Sequence, residues 1–383
     1  MTQLSEKVLK FSSDPRLQEV YMAFDDYFNH YQSMNKKSNP YWPQAKRERT
    51  LEYLKFDSNG APISFSQKEE KMNQLLRREI LRIAGVQGLG DFDLAVWASN
   101  PLVQWATFAI VGALVDMVLP DTVNDEIGLY TDIRNLGWGD TYAFDVEPRD
   151  LFAVSRHGMG QRSTEIHKQY TGQVTVNPVN RQLTTGVDLY NVLAGKDSLA
   201  KYVTKVIRSF EFEVSLDAYT SFLTLMEALD STASTGLRVS GYTQDELTRL
   251  GETVESWNGG QQAVIFGTRR ALVNILPTDA NYRYDLDSDF MKMGYVGEAF
   301  GFSVMRLAQK ADWRSPFGTL IDNDNLYLIS PGADKLVKLV FEGSTLANTT
   351  SMWENADLSQ TSTMMKKWAT GIATSAIAGV IQL

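Results

Sequence analysis

Residues 139–193 read as a polar, β-rich ribbon that runs directly into one long amphipathic helix over 197–229, and no other feature narrows the fold so far. Thr141–Glu147 has the alternation of a strand, and Gln173–Asn177 and Gln182–Val187 read as its return, interrupted by Pro178. A proline removes a ladder donor, so the return is expected at an edge or a bulge. Both faces of the ribbon are polar, and a lone two-stranded ribbon is marginal in water. Such a segment needs a surface to lie on. The helix places Leu199, Val203, Val206, Phe210, Val214, Ala218, Phe222, Leu225 and Leu229 along one stripe, with Asp197 as its expected N-cap. About 33 residues at ~1.5 Å each make a rod of roughly 50 Å. A long hairpin leading into a long spine suits a subunit that embraces its neighbours.

The chain has 383 residues, enough for one large or two modest domains. Residues 1–138 read as mostly helical. Gln67–Ile83 carries Met72, Leu75, Leu76, Ile80 and Ile83 at helical spacing, and the prolines of Asn39–Pro43 break the chain before it. Leu102–Leu119 is the most apolar stretch. Gln104 and Asp116 interrupt it, so it reads as a buried helix and not a membrane span. Beyond the spine, Thr243–Val254 predicts a helix and Ala263–Thr268 a buried strand. Arg269–Leu276 predicts a short helix stopped by Pro277. Further strands are expected at Ser303–Leu307, Leu326–Ile329 and Leu336–Phe341, and Thr370–Leu383 reads as a small-residue strand packed closely on another backbone, with a helix as the alternative. The expected class is α+β. Met1–Lys7 lacks the apolar run of a secretory signal, so none is expected.

The chemistry of function classes is thin. A net charge of −9 argues against a surface built to grip phosphates, though not against enclosing nucleic acid without gripping it. The chain has no cysteine, which excludes disulfides, thiolate metal sites and thiol nucleophiles. His30, His157 and His167 fall in no metal-binding spacing, and neither a nucleophile elbow nor a P-loop occurs. Gly158-Met159-Gly160 lacks the third glycine of a dinucleotide fingerprint. Asp285, Asp287 and Asp289 have calcium-loop spacing, but Phe290 and Val296 stand where that loop needs glycine and glutamate. No catalytic, cofactor or metal site is expected. Plentiful carboxylates with 8 Trp and 16 Tyr leave a carbohydrate-active enzyme as a remote alternative.

The order of these parts resembles the major capsid proteins of tailed phages, which have the HK-ninety-seven-like fold. Gly139-Asp140-Thr141 opening a strand resembles the start of their extended E-loop. So does the basic glycine-rich segment Arg156–Arg162, followed by Thr/Val-rich return strands and Val187-Asp188-Leu189-Tyr190 leading into the spine. Ala263–Arg269 looks like the strand, Gly-Thr and helix of their axial A-domain. Gly301–Val304, Asp322–Ile329 and Gly332–Glu342 look like the return into the peripheral P-domain. The resemblance covers about residues 138–383. It implies an N-terminal arm and helical region over 1–138, an E-loop ribbon over 139–193 and a P-domain spine over 194–236. An A-domain over 237–333 and P-domain return strands over 334–383 complete the division.

The resemblance also implies a homo-oligomer of pentamers and hexamers. These close into an icosahedral shell around double-stranded DNA, with no sequence-specific DNA contact and no membrane. Portal, scaffolding and decoration proteins are the implied partners, and the virion, assembled in the host cytoplasm, is the implied location. Arg156, Arg162 and Lys168 of the ribbon are expected to reach Glu342, Glu354 or Asp357 of a neighbour. Some family members crosslink an E-loop lysine to a P-domain asparagine. Lys168 with Asn348 or Asn355 would be the counterparts, and no such bond is expected here. Tyr41, Trp42 and Tyr53 suit a retained N-terminal contact arm better than a discarded scaffold. An encapsulin-like nanocompartment shell shares the fold and is the second reading.

Overall fold

A computed structural model of the chain describes residues 14–36, 63–86, 100–146, 171–229, 236–275, 294–307, 309–349 and 360–383. Three helices come first: α1 (Pro15–Lys36), α2 (Phe65–Ile83) and α3 (Pro101–Ile127). Strands β1 (Thr131–Leu136), β2 (Ala143–Val146), β3 (Gly172–Thr175) and β4 (Val179–Val187) precede a short α4 (Leu189–Leu193) and the long α5 (Leu199–Glu227). Then follow β5 (Arg238–Ser240), α6 (Gln244–Trp257), β6 (Val264–Gly267), α7 (Arg269–Leu272), β7 (Glu298–Ala299) and β8 (Phe302–Arg306). The last strands are β9 (Ala311–Asp312), β10 (Gly318–Thr319), β11 (Asn325–Ile329), β12 (Val337–Thr349), β13 (Gln360–Ile372) and β14 (Gly379–Gln382). The class is α+β, as expected.

The spine forms where the apolar stripe predicts it, but its cap is Ser198, one residue late. The backbone N–H groups of Lys196 and Asp197 both donate to the Asn191 carbonyl at 2.9 and 3.2 Å, which holds Asp197 in the turn after α4. Gly195 supplies the left-handed step there, at φ +75°. Ser198 Oγ then accepts from Lys201 N at 3.3 Å. A second cap comes from far away in sequence: Asn73 Oδ1 on α2 accepts from Ala200 N at 3.0 Å while its Nδ2 donates to Ser198 Oγ at 3.0 Å. Two orphan N–H groups of the helix are thereby satisfied.

Two sheets flank this spine. The first has the order β1-β12-β13-β4, with β1 parallel to β12 and the other pairs antiparallel. The second has the order β5-β14-β11-β6-β8-β7. The return arm of the ribbon divides between two ladders. β2 and β3 pair with each other, Ala143 opposite Thr175 and Val146 opposite Gly172, but β4 leaves the ribbon and pairs with β13 instead. The division falls at Pro178, which has no N–H to continue either ladder. The C-terminal stretch, read as one strand, also divides. β13 ends at Ile372 and β14 joins the six-stranded sheet between β11 and β5. Asn258 makes the break between them, accepting from Ile377 N at 2.9 Å and donating to Ile377 O at 2.8 Å.

The central strands of the six-stranded sheet are buried on both faces, which explains the unbroken apolar runs of β6 and β11. Ile265, Leu326, Leu328 and Ile381 face a core closed by Leu247, Leu250 and Val254 of α6 and by Leu272 of α7. The alternate residues Phe266, Tyr327, Ile329 and Val380 face the main core, which α5 shares with α1, α2, α3 and the four-stranded sheet. Among the described residues of 1–138, three helices contribute to the main core. α3 is long and apolar enough to span a bilayer by length and composition. Here Val103, Val111, Leu114, Val115, Leu119 and Val123 are fully buried within the fold. The helix runs on past its expected end, through Pro120 to Ile127, because Val123 and Ile127 still face the core.

Phe210 packs edge-on against Trp368 of β13 at 6.0 Å, and Phe222 contacts Tyr130 at 5.0 Å and Tyr327 at 4.9 Å. Truncation of either, Phe210→Ala or Phe222→Ala, is expected to destabilise the chain by about 3–5 kcal/mol, since both leave a cavity between spine and sheet. Urea unfolding measures this, and unchanged midpoints for both variants would contradict the packing. Tyr27 of α1 stacks on Phe65 at 5.1 Å, and burial pushes its hydroxyl up to about 12 from the ordinary 10.0. The fold therefore favours the protonated phenol. That contribution is intact below pH 10 and is lost as pH rises through 10 towards 12. Thermal melts across that window should fall less steeply for Tyr27→Phe than for the wild type.

Candidate functional site

The root of the ribbon is the most constrained polar assembly among the described residues. It is built on an irregularity in β12, whose register with β13 shifts between Glu342 and Leu346. Gly343 sits in the bulge at φ +66°, and the Trp138 indole covers it so closely that a Cβ there would lie 2.5 Å from Trp138 Cε2. Only glycine meets both demands. From inside, Asp116 of α3 fills the bulge: its Oδ2 accepts from Thr345 N at 2.7 Å and its Oδ1 from Thr345 Oγ1 at 2.6 Å. Lys366 of β13 completes the site, donating to Asp116 Oδ1 at 2.6 Å and to Gly343 O at 2.9 Å. Both charged side chains are nearly buried, at 5% exposure for Lys366 and 12% for Asp116.

From outside, the bulge holds the turn that starts the ribbon. Glu342 Oε1 accepts from Gly139 N at 3.1 Å and from Lys367 Nζ at 3.1 Å. The Lys367 ammonium lies 5.3 Å from the centre of the Trp138 ring, and Trp138 Nε1 donates to Ser344 Oγ at 3.3 Å. The Gly139 N–H bond, and after it the Lys367 ammonium, holds the Glu342 carboxyl below its ordinary value of 4.5. Past the turn, Phe144 of β2 and Val176 next to β3 pack on Val340 and Ala373, the small apolar cluster that seats the ribbon's base. β3 itself is exposed along its whole length.

The sequence offered six contact residues. Arg156, Arg162, Lys168, Glu354 and Asp357 lie outside the described residues, as do Asn355, Tyr41, Trp42, Tyr53 and the Asp285–Asp289 loop. Glu342, expected to face a neighbour, is engaged by Gly139 and Lys367 of its own chain and is 7% exposed. The local cause is the Gly139 turn, which delivers a backbone N–H to its carboxylate. Trp138, Gly343, Lys367 and Asp116 were not singled out for this role. Only Asp116 left a usable signal, as the single charge in the apolar stretch Leu102–Leu119. His30 packs edge-on against Phe65 at 5.6 Å. Among the described residues, no group of three or more histidines or carboxylates could hold a metal ion.

No protein-family model matches the chain, and no curated protein matches it. Solved structures with a similar shape include the mature capsid of bacteriophage PhiM1, at 11% identity and a TM-score of 0.46, covering 66% of this chain and 85% of that one. The capsid of a native GTA particle is 10% identical at a TM-score of 0.48, covering 67% and 89%. A phage-related protein from Bordetella bronchiseptica RB50 is 11% identical at 0.43, covering 72% and 96%.

The lowered Glu342 carboxyl stabilises the root at pH values above 4.5, and this contribution is lost as pH falls below that value and the carboxylate takes up a proton. Glu342→Gln should therefore show a shallower loss of melting temperature between pH 6 and about 3 than the wild type does. Parallel curves for the two proteins would show that the bond to Gly139 carries no stability.

Proposed function

We propose that this chain is a major capsid protein, building the icosahedral shell of a tailed phage as pentamers and hexamers around double-stranded DNA. The observation that carries the reading is the rooted ribbon. β2 and β3 pair so that Val146 stands opposite Gly172, and residues 147–171 therefore leave and return at one point. The chain between Val146 and Gly172, tied to the body where Trp138 and Glu342 hold the start of the ribbon, is proposed as a lever for reaching another subunit. The spine, with a four-stranded sheet on one side and a separate six-stranded unit on the other, supplies the body that such a lever needs. On this reading 139–193 is the E-loop, 194–236 and 334–383 the P-domain, 237–333 the A-domain and 1–138 the arm and helical region. Three strands cross these bounds: β14 returns to the A-domain sheet, while β1 and β4 join the P-domain strands β12 and β13.

The same reading makes the protein structural and not enzymatic, located in the virion after assembly in the host cytoplasm. Portal, scaffolding and decoration proteins are its proposed partners. A chain of net charge −9 would enclose DNA without clamping it. Arg156, Arg162 and Lys168 are proposed to meet Glu354 or Asp357 of a neighbour. Each exposed pair contributes roughly 0–1 kcal/mol, a term that a closed shell repeats many times.

Electron microscopy of particles from the producing cell is the direct test. Closed shells holding nuclease-protected double-stranded DNA are expected. Shells filled with protein would favour the nanocompartment, and a monomer in sedimentation would overturn both. Deleting Gly158–Thr171 is expected to leave folded, unassembled capsomers or monomers, and normal particles from that deletion would contradict the lever.

A further inference from the structure

Between β8 and β11 the chain makes a small hairpin, β9–β10, whose turn displays two large aromatics. Trp313 is 78% exposed and Phe317 fully exposed. Phe317 also sits at φ +58°, a left-handed conformation that a bulky side chain rarely adopts. The turn is not loose. Arg314 N donates to Asp312 Oδ1 at 2.9 Å, Ser315 N to Asp312 O at 3.2 Å, and Gly318 N to Ser315 O at 3.1 Å. Pro316 fixes another backbone angle. The hairpin is bolted to two helices. The Arg314 guanidinium donates to both Glu213 oxygens on α5 at 2.5 and 2.7 Å, and Lys310 pairs with Glu126 of α3 and donates to Ser215 at 2.9 Å. A rigid element thus holds two aromatics in water, one of them against its backbone preference. Backbone strain of this kind persists where the surrounding structure enforces it and marks functional positions.

We propose that this tip is a docking element for a second copy of this chain, a proposal that rests on the capsid reading. Charge selects the partner. Glu213 cancels the one cation of the turn, so the tip offers nothing to a phosphate backbone or an anionic membrane. Two copies of a chain at −9 repel each other and meet best through apolar side chains, which this tip presents in Trp313 and Phe317 beside the charges of Asp312, Arg314 and Glu213. The same chain offers an uncharged apolar surface to receive it, Leu102 and Trp105, each 58% exposed and three residues apart on α3. Area sets the role. Two aromatics bury about 150–250 Å² each, well below the ~800 Å² per partner of a stable pairwise complex. The tip is therefore a hot spot within a many-contact assembly and does not hold a dimer by itself.

The full-length chain carrying Phe317→Gly, Trp313→Ala or both tests this by thermal melting and by sedimentation over a concentration series. Glycine is at ease at positive φ, so Phe317→Gly should melt at the same or a higher temperature than the wild type. The concentration needed for assembly should rise by about tenfold or more for the double variant. Assembly of the double variant at the wild-type concentration would overturn the docking role while leaving the capsid reading standing. A lowered melting temperature with a matching assembly defect would also overturn it, by making the tip part of the fold. A wild-type chain that never assembles would remove the capsid reading and this inference with it.

Discussion

A carboxylate buried in the middle of an apolar helix must be paired, and the pairing of Asp116 organises much of what lies outside the core. An unpaired charge at that depth would cost several kcal/mol. Lys366 on β13 and the Thr345 backbone and hydroxyl on β12 supply the partners. To present the Thr345 N–H to α3, β12 must step out of register with β13, and that step is the bulge at Gly343. The bulge in turn frees Glu342 and Gly343 to receive the Gly139 N–H and the Trp138 ring. One buried ion pair is thus mechanically continuous, through a strand irregularity, with the point where the ribbon leaves the body. Apolar replacement of such a pair often leaves stability unchanged, so its role is better sought in the geometry it imposes.

The spine works in the same manner at larger scale. α5 is a shared wall, and the two sheets do not touch it alike. On the four-stranded side, Asp217 accepts from Trp368 Nε1 at 3.0 Å and pairs with Arg181 at 2.9 Å, so one carboxylate ties β13 and the edge strand β4 to the helix. On the six-stranded side the contact is aromatic. Phe222 meets Tyr327, and the Tyr219 and Tyr327 hydroxyls lie 3.3 Å apart, with Tyr219 also accepting from Asp322 N at 2.8 Å. Burial raises both phenols above their usual range, so each stays neutral inside the interface. Aromatic contacts on both sides, Phe210 with Trp368 and Phe222 with Tyr327, and the Asp217 anchor let a single helix join both sheets to the main core.

What was legible in the sequence follows from which interactions are local. The stripe from Leu199 to Phe222, the amphipathic pattern of Gln67–Ile83 and the doubly buried runs Val264–Phe266 and Leu326–Ile329 all encode their own burial, and each formed where expected. The misplaced pieces depended on distant partners. β4 looked like a ribbon arm because its polar alternation is indifferent to which ladder it joins, and its actual partners lie 179 residues away at the Thr184–Thr363 pair. The spine's second cap comes from Asn73, 127 residues before Ala200. The break before β14 is set by Asn258, 119 residues before Ile377. At the ribbon root, Glu342 read as a surface acid because nothing near it in sequence announces the Gly139 N–H that engages it.

Charge and aromatic display together explain how a strongly acidic chain could still associate with itself. Several cations are engaged by carboxylates of their own chain: Lys366 with Asp116, Lys367 with Glu342, Lys68 with Asp26, Arg314 with Glu213. Cations committed this way cannot also bridge to a neighbour, and the excess negative charge remains on the outside. On the capsid reading, attraction between copies draws on apolar side chains, on exposed cations outside these pairs such as Lys71, Lys205 and Arg269, and on the basic residues of the ribbon. The body supplies the first, in the Trp313 and Phe317 tip and in Leu102 and Trp105. Arg156, Arg162 and Lys168 of the ribbon are proposed to supply the last. Apolar contact is short-ranged, while like-charge repulsion reaches over a Debye length of about 8 Å at physiological salt. On the docking proposal, exposed aromatic side chains on an anchored hairpin supply a short-ranged attraction that this repulsion does not oppose directly.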